Sequence, residues 1–137
     1  MTSQNQTSDS VIVPHSREAE EAVLGSVLIH PEVYFDLAEF LIANDFYIHR
    51  HGWIWEAFTR LQGNRSPLDV LNITENLDQH GKLKEIGGAA YLTALINSVP
   101  SSLHAVSYGR IVEGTAIRRR MLAAANQIAQ LAYREAE

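Results

Sequence analysis

The chain has 137 residues, 46% apolar and 20% charged, enough for one domain that buries most of the surface its unfolded form exposes. Eleven Lys and Arg against sixteen Asp and Glu give a net charge of -5, which weighs against a protein whose main work is neutralising phosphates. The absence of Cys excludes disulfides and thiolate metal or redox sites, and no apolar run approaches the roughly 18 residues that span a bilayer.

The opening MTSQNQTSDS has neither the basic start nor the apolar segment of a secretory signal, so a cytoplasmic protein is expected. Residues 1–13 read as a disordered tail, since Ser, Thr, Gln and Asn bury too little to offset the entropy of ordering. After Pro14, Ala19, Ala22, Val23 and Val27 recur at helical spacing, with Leu24 and Leu28 widening the stripe. Ser16 is the expected N-cap, Glu18, Glu20 and Glu21 suit the positive end of the helix dipole, and the helix should end near Ile29.

Pro31 suits the first turn of a short second helix with Val33, Leu37, Phe40 and Leu41 on one face. Ile54, Ala57, Phe58 and Leu61 predict a third, with Gly63 as a left-handed C-cap. Asn72 and Glu75 resemble a capping box opening a fourth helix that Gly81 ends. Gly87-Gly88 breaks the chain before a fifth, carrying Tyr91, Leu92, Leu95, Ile96 and Val99 and stopped by Pro100. The fold class is therefore all-α: a bundle of short helices over 14–100, with Val23, Val27, Leu37, Leu41, Phe58, Leu77, Leu92 and Leu95 in the core.

From Ser102 onward there is no Pro and Ala is frequent, which predicts one long helix over the last segment, 101–137. Five Arg and three Glu make that segment net +2, whereas residues 1–100, with six basic and thirteen acidic side chains, are net -7. Ile117, Met121, Ala124, Ile128 and Leu131 step by four, three, four and three, a narrow heptad seam that needs a partner helix and marks a candidate self-association surface. Extended backwards, the frame reaches Gly114 and Arg110, so a kink or a change of packing surface is expected near Gly114. The sequence ends Arg-Glu-Ala-Glu without a helix stop signal, which reads as the first part of something longer.

Candidate chemistry is sparse. His49 and His51, two apart, point to different sides of a helix and have no carboxylate at ligand-like spacing, so core or helix-terminal histidines are expected rather than a metal site. No Gly-x-x-x-x-Gly-Lys-Ser/Thr occurs, and Gly87-Gly88 reads as a helix boundary. Arg110, Arg118, Arg119 and Arg120 are candidate contacts to phosphates or an acidic partner, although three consecutive arginines fan around a helix rather than line one stripe. Trp53, Trp55 and Phe58 suit a base-stacking platform less well than core and edge positions.

Particular residues go further than their classes. Pro14 to Gly25, PHSREAEEAVLG, resembles the opening signature of the N-terminal domain of bacterial DnaB-type replicative DNA helicases. Matches continue in order through Asp45-Phe46-Tyr47, His51, Ile54, Pro67 to Asp69, Leu77, Ile86-Gly87-Gly88-Ala89-Ala90-Tyr91-Leu92, Ser98-Val99-Pro100, Tyr108, Ile111-Val112 and Arg119-Arg120. His15 stands where that family commonly has Gln, and His104, at the expected start of the last helix, where it has Asn.

The resemblance implies a helical head followed by the first arm of an antiparallel helical hairpin. It implies a noncatalytic collar domain that pairs with itself in a hexameric ring and docks primase and a helicase loader, with little or no direct DNA binding. No catalytic, cofactor or metal residue is expected in this segment; ATP and Mg would belong to a separate C-terminal domain. The competing readings are a free-standing helical adaptor using the 117–131 seam, a nucleic-acid module using the arginines, and a His-dependent hydrolase. The acidic head weighs against the nucleic-acid module, and the missing nucleophile constellation against the hydrolase.

Overall fold

The computed structural model describes residues 13–134, so most of the expected tail lies outside the described residues. Seven α-helices follow in order: α1 (Arg17–Ile29), α2 (Val33–Ala38), α3 (His49–Gly63), α4 (Val70–Gln79), α5 (Leu83–Ile86), α6 (Gly88–Ser98) and α7 (Ala105–Tyr133). Two 3-10 turns, Ala43–Asp45 and Ser102–His104, precede α3 and α7, and no strand occurs among the described residues.

The expected first helix is present: Ser16 is extended and its side-chain oxygen accepts from the Ala19 N–H. Its buried face packs against α6 and α7, and this three-helix contact forms the centre of the head. Gly25 makes it possible, because a Cβ there would lie 2.2 Å from Val99 Cγ2 and 2.4 Å from the Leu95 carbonyl oxygen. All eight residues expected in the core are buried, joined by Ile54, Trp55, Ile73 and Ile86.

Several boundaries differ from expectation. Helix α2 is six residues long, so Phe40 and Leu41 follow it; Leu41 is nevertheless buried. Gly63 is not the left-handed residue that ends α3. The helix runs through it to a cap at Asn64, and Arg65 takes the positive φ of 58°. The Ser66 N–H then reaches back to the Leu61 carbonyl, closing the end with hydrogen bonds that do not require a Gly.

The start of α4 also moves. Asn72 and Glu75 do not form its capping box; Asp69 is the N-cap, and its carboxylate accepts from the Asn72 N–H at 2.8 Å. Gly81 takes a positive φ as expected, but the four-residue α5 that follows has no periodicity long enough to read. Val99 sits outside α6 in an extended conformation because it precedes Pro100.

The long helix begins at Ala105, and its N-cap His104 makes no side-chain capping bond; Ser101 instead caps the preceding 3-10 turn. The helix is continuous through Gly114, so of the two expectations there the change of packing surface holds. Ala105, Gly109, Val112, Thr115 and Ala116 are buried against the head, and no described residue beyond Ala116 is buried.

Candidate interaction surfaces

From Ile117 the stepping by four and three carries an apolar stripe along the part of α7 that leaves the head. Ile117, Met121, Ile128 and Leu131 are 44%, 64%, 67% and 62% exposed, and Ala124 between them is exposed as well. Single exposed apolar residues are ordinary, but five on one face of one helix form a continuous patch. Leu122 and Tyr133 are exposed as well, on the opposite side of the helix.

The four arginines do not share a surface. Arg110 lies over the Phe40 ring at 3.8 Å and pairs with Glu113 at 2.9 Å. Arg119 turns towards the head, donating to the carbonyls of Pro14 at 3.0 Å and Asp45 at 2.7 Å. Burial pushes its guanidinium below the usual arginine range, while the nearby Glu20 and Asp45 carboxylates oppose that shift. Arg120 pairs with Asp45 Oδ1 at 3.0 Å. Arg118 is exposed and has no hydrogen-bond or ion-pair partner among the described residues. The structure thus brings Arg119 and Arg120 together on Asp45 and leaves Arg110 and Arg118 apart.

Asp45 explains why two adjacent arginines point one way. Its other carboxylate oxygen accepts from the Ile42 N–H at 3.0 Å, so the buried acid closes the 3-10 turn and anchors α7. A second buried acid was not expected. Glu20, with 0% exposure, accepts from the backbone N–H groups of Tyr47 and Ile48 and faces His51 Nδ1 at 2.8 Å. His51 Nε2 in turn meets the Tyr91 hydroxyl at 2.5 Å, and the Arg50 guanidinium lies over the Tyr91 ring at 4.0 Å.

His51 is therefore a core histidine. No cluster of three or more His, Asp or Glu suited to a metal ion occurs among the described residues. Trp55 and Phe58 pack in the core with Tyr34, whereas Trp53 lies at the edge with the Lys82 ammonium 4.4 Å from its ring centroid. Gly87 and Gly88, both at positive φ, form the boundary between α5 and α6. Glu20 escaped sequence reading because a helix-dipole role explained it fully; the signal was its position beside the apolar stripe rather than opposite it.

The fold defines an all-α head with a projecting helical arm, held at their junction by Arg119, Arg120 and Asp45. Residues 12–114 match the DnaB-like helicase N-terminal domain, and the chain belongs to that family. It is 38% identical over 123 residues to a replicative DNA helicase DnaB of Pasteurella multocida (strain Pm70), covering 90% of this chain and 26% of the relative. The chain thus spans about a quarter of the length of that relative. Among solved structures, the N-terminal domain of DnaB helicase from Mycobacterium tuberculosis superposes with a TM-score of 0.87 at 35% identity, covering 90% of both chains. A DnaB-like replicative helicase solved for its interactions with primase gives a TM-score of 0.76 at 29% identity, covering 84% of this chain and 27% of that one. No helix among the described residues is long and apolar enough to cross a membrane.

Proposed function

We propose that this segment is a noncatalytic assembly and docking domain of a replicative DNA helicase. Residues 14–100 serve as the head and the segment after them as the first arm of a helical hairpin. Arms of two copies pair along Ile117, Met121, Ala124, Ile128 and Leu131, and such pairs build a hexameric collar on which primase and a helicase loader dock. Nucleotide hydrolysis, with ATP and Mg, belongs to a separate C-terminal domain of the longer protein, and this segment makes little or no direct contact with DNA.

The observation that carries this reading is the exposed stripe on α7. Its seventeen residues from Ile117 to Tyr133 extend roughly 25 Å at the usual helical rise, and none of them is buried by the rest of the described chain. Helices owe most of their stability to packing of an apolar face, so a second copy stabilises this one by covering it. Family membership and the likeness to a helicase solved for its primase interactions support the docking role.

Sedimentation over a wide concentration range tests it. The wild type should form a concentration-dependent dimer, weak because Ala124 limits the area buried per heptad. Ile128→Asp should shift it to monomer, because a charge would be buried without a partner, and should leave the head folded. Identical monomers for both proteins at all concentrations overturn the assignment.

A further inference from the structure

A second surface lies on the head, away from the stripe. Between the first turns of α1 and the early part of α7 is an open slot of about 360 Å³. Ala19 and Ala22 are small residues on its α1 side; Tyr108 and Ile111 form its α7 side, and Ile111 is half exposed. Glu18 and Glu21, three apart and so on one helical face, line it as well, and Ser16, Ser98 and Pro100 close its ends. Ala22 and Ala19, about one and two turns before Gly25, end at Cβ and leave space beside α7.

We propose that this slot docks a protein segment carrying an arginine or lysine beside an apolar residue. A long cationic side chain lays its apolar stem on surfaces such as Ala19, Ala22 and Ile111 while its head stays at the wet rim. The two carboxylates stand at that rim. Glu21 is only loosely engaged, by an exposed Arg17 at 3.8 Å, so an incoming cation competes with a weak partner. The net charge of -7 over residues 1–100 favours approach of a basic segment and opposes nucleic acid or any other polyanion. Charge complementarity thus selects a basic peptide as the occupant. The inference does not depend on arm pairing, because every residue of the slot precedes Ala116 and the stripe begins after it.

The test is nuclear magnetic resonance on the full 137-residue protein with two capped tripeptides, Leu-Arg-Leu and Leu-citrulline-Leu, which differ in charge but scarcely in shape. Leu-Arg-Leu should shift the amide signals of Ala19, Ala22 and Ile111 at millimolar concentration. The citrulline peptide should bind about tenfold more weakly, the scale of one lost charge-assisted hydrogen bond. Glu18→Gln with Glu21→Gln, both at solvent-accessible positions, should bring Leu-Arg-Leu to the citrulline level, and Ile128→Asp should leave its binding unchanged. Absence of shifts at the slot overturns the proposal, as does equal binding of the two peptides. Shifts of the same amides with protein concentration alone would assign the slot to a second copy and overturn it too.

Discussion

The Glu20 carboxylate and the His51 ring meet at 2.8 Å with neither side chain exposed, across 31 residues of chain. The acid also receives the backbone N–H groups of Tyr47 and Ile48, so it joins α1 to the loop entering α3. With Nδ1 donating to Glu20 and Nε2 accepting the Tyr91 O–H, every member of the chain Glu20, His51, Tyr91 is satisfied. Such a network is specific rather than strongly stabilising, and its cost appears when one member is removed.

Glu20→Ala should therefore destabilise the domain by about 3–5 kcal/mol, because the buried His51 ring and the partly buried N–H groups of Tyr47 and Ile48 lose their acceptor together. Glu20→Gln keeps one acceptor oxygen and should cost less. Urea unfolding followed by circular dichroism measures both; a loss under about 1 kcal/mol for the Ala variant would mean that water replaces the carboxylate.

Tyr91 should give stability an alkaline limb. Burial raises its hydroxyl above the usual value near 10, with the Arg50 charge opposing the shift. Above pH 10 the unfolded chain loses this proton before the folded one, so the unfolded state binds fewer protons and stability falls as pH rises. Below pH 10 the group contributes no slope. Tyr91→Phe should flatten the curve above about pH 10, and unchanged slopes in wild type and variant would refute the linkage.

The same substitution at two glycines should have opposite signs. At Gly25 a methyl group would meet Val99 and the Leu95 carbonyl oxygen, backbone that must move, so Gly25→Ala should cost about 1–3 kcal/mol. At Gly114, within α7, a Cβ meets nothing within 4 Å, and Gly114→Ala should stabilise by about 0.5–1 kcal/mol through the lower entropy of the unfolded chain. Thermal melts of the two variants decide this, and a gain at Gly25 would show that α1 and α6 can separate freely.

Helices, core and exposed stripe were legible because they rest on periodicity: Val23 and Leu92 are buried, and Ile128 exposed, on the faces their spacing predicts. Turn details were less legible, because Asp69 and Asn72 compete for one cap and Arg65 accepts a conformation that Gly63, two residues earlier, was better suited to. The polar network was not legible at all. Glu20 and His51, or Asp45 and Arg120, are long-range pairs whose meeting depends on the completed packing of α1, α3 and α7. The resemblance did include Asp45, His51, Tyr91 and Arg119-Arg120 among its matched positions, and their shared place at the junctions of the head gives those matches a physical reason.

The angle of the arm should depend on Arg119. Its planar fork spans two carbonyls, those of Pro14 and Asp45, which lie on segments 31 residues apart, and it sits 5.4 Å from the Tyr47 ring. Arg120, one residue on, grips the Asp45 carboxylate, so both arginines bind the same 3-10 turn. Beyond them nothing in the described chain holds α7 to the head, which makes this turn the last support of a helix continuing to Tyr133. Arg119→Ala removes both donors and leaves two carbonyls to find water, at an expected cost of about 1–3 kcal/mol. Arg119→Lys keeps the charge but, lacking the fork, should recover only part of it. Arg118→Ala, at an exposed neighbouring position, should change nothing. Spin labels at Gln62 on α3 and Gln127 on the arm report the angle: the distance distribution should broaden in Arg119→Ala, narrow partly in Arg119→Lys and match wild type in Arg118→Ala. Equal distributions for the Arg119 and Arg118 alanine variants would show that packing at Val112 and Ala116 alone sets the arm.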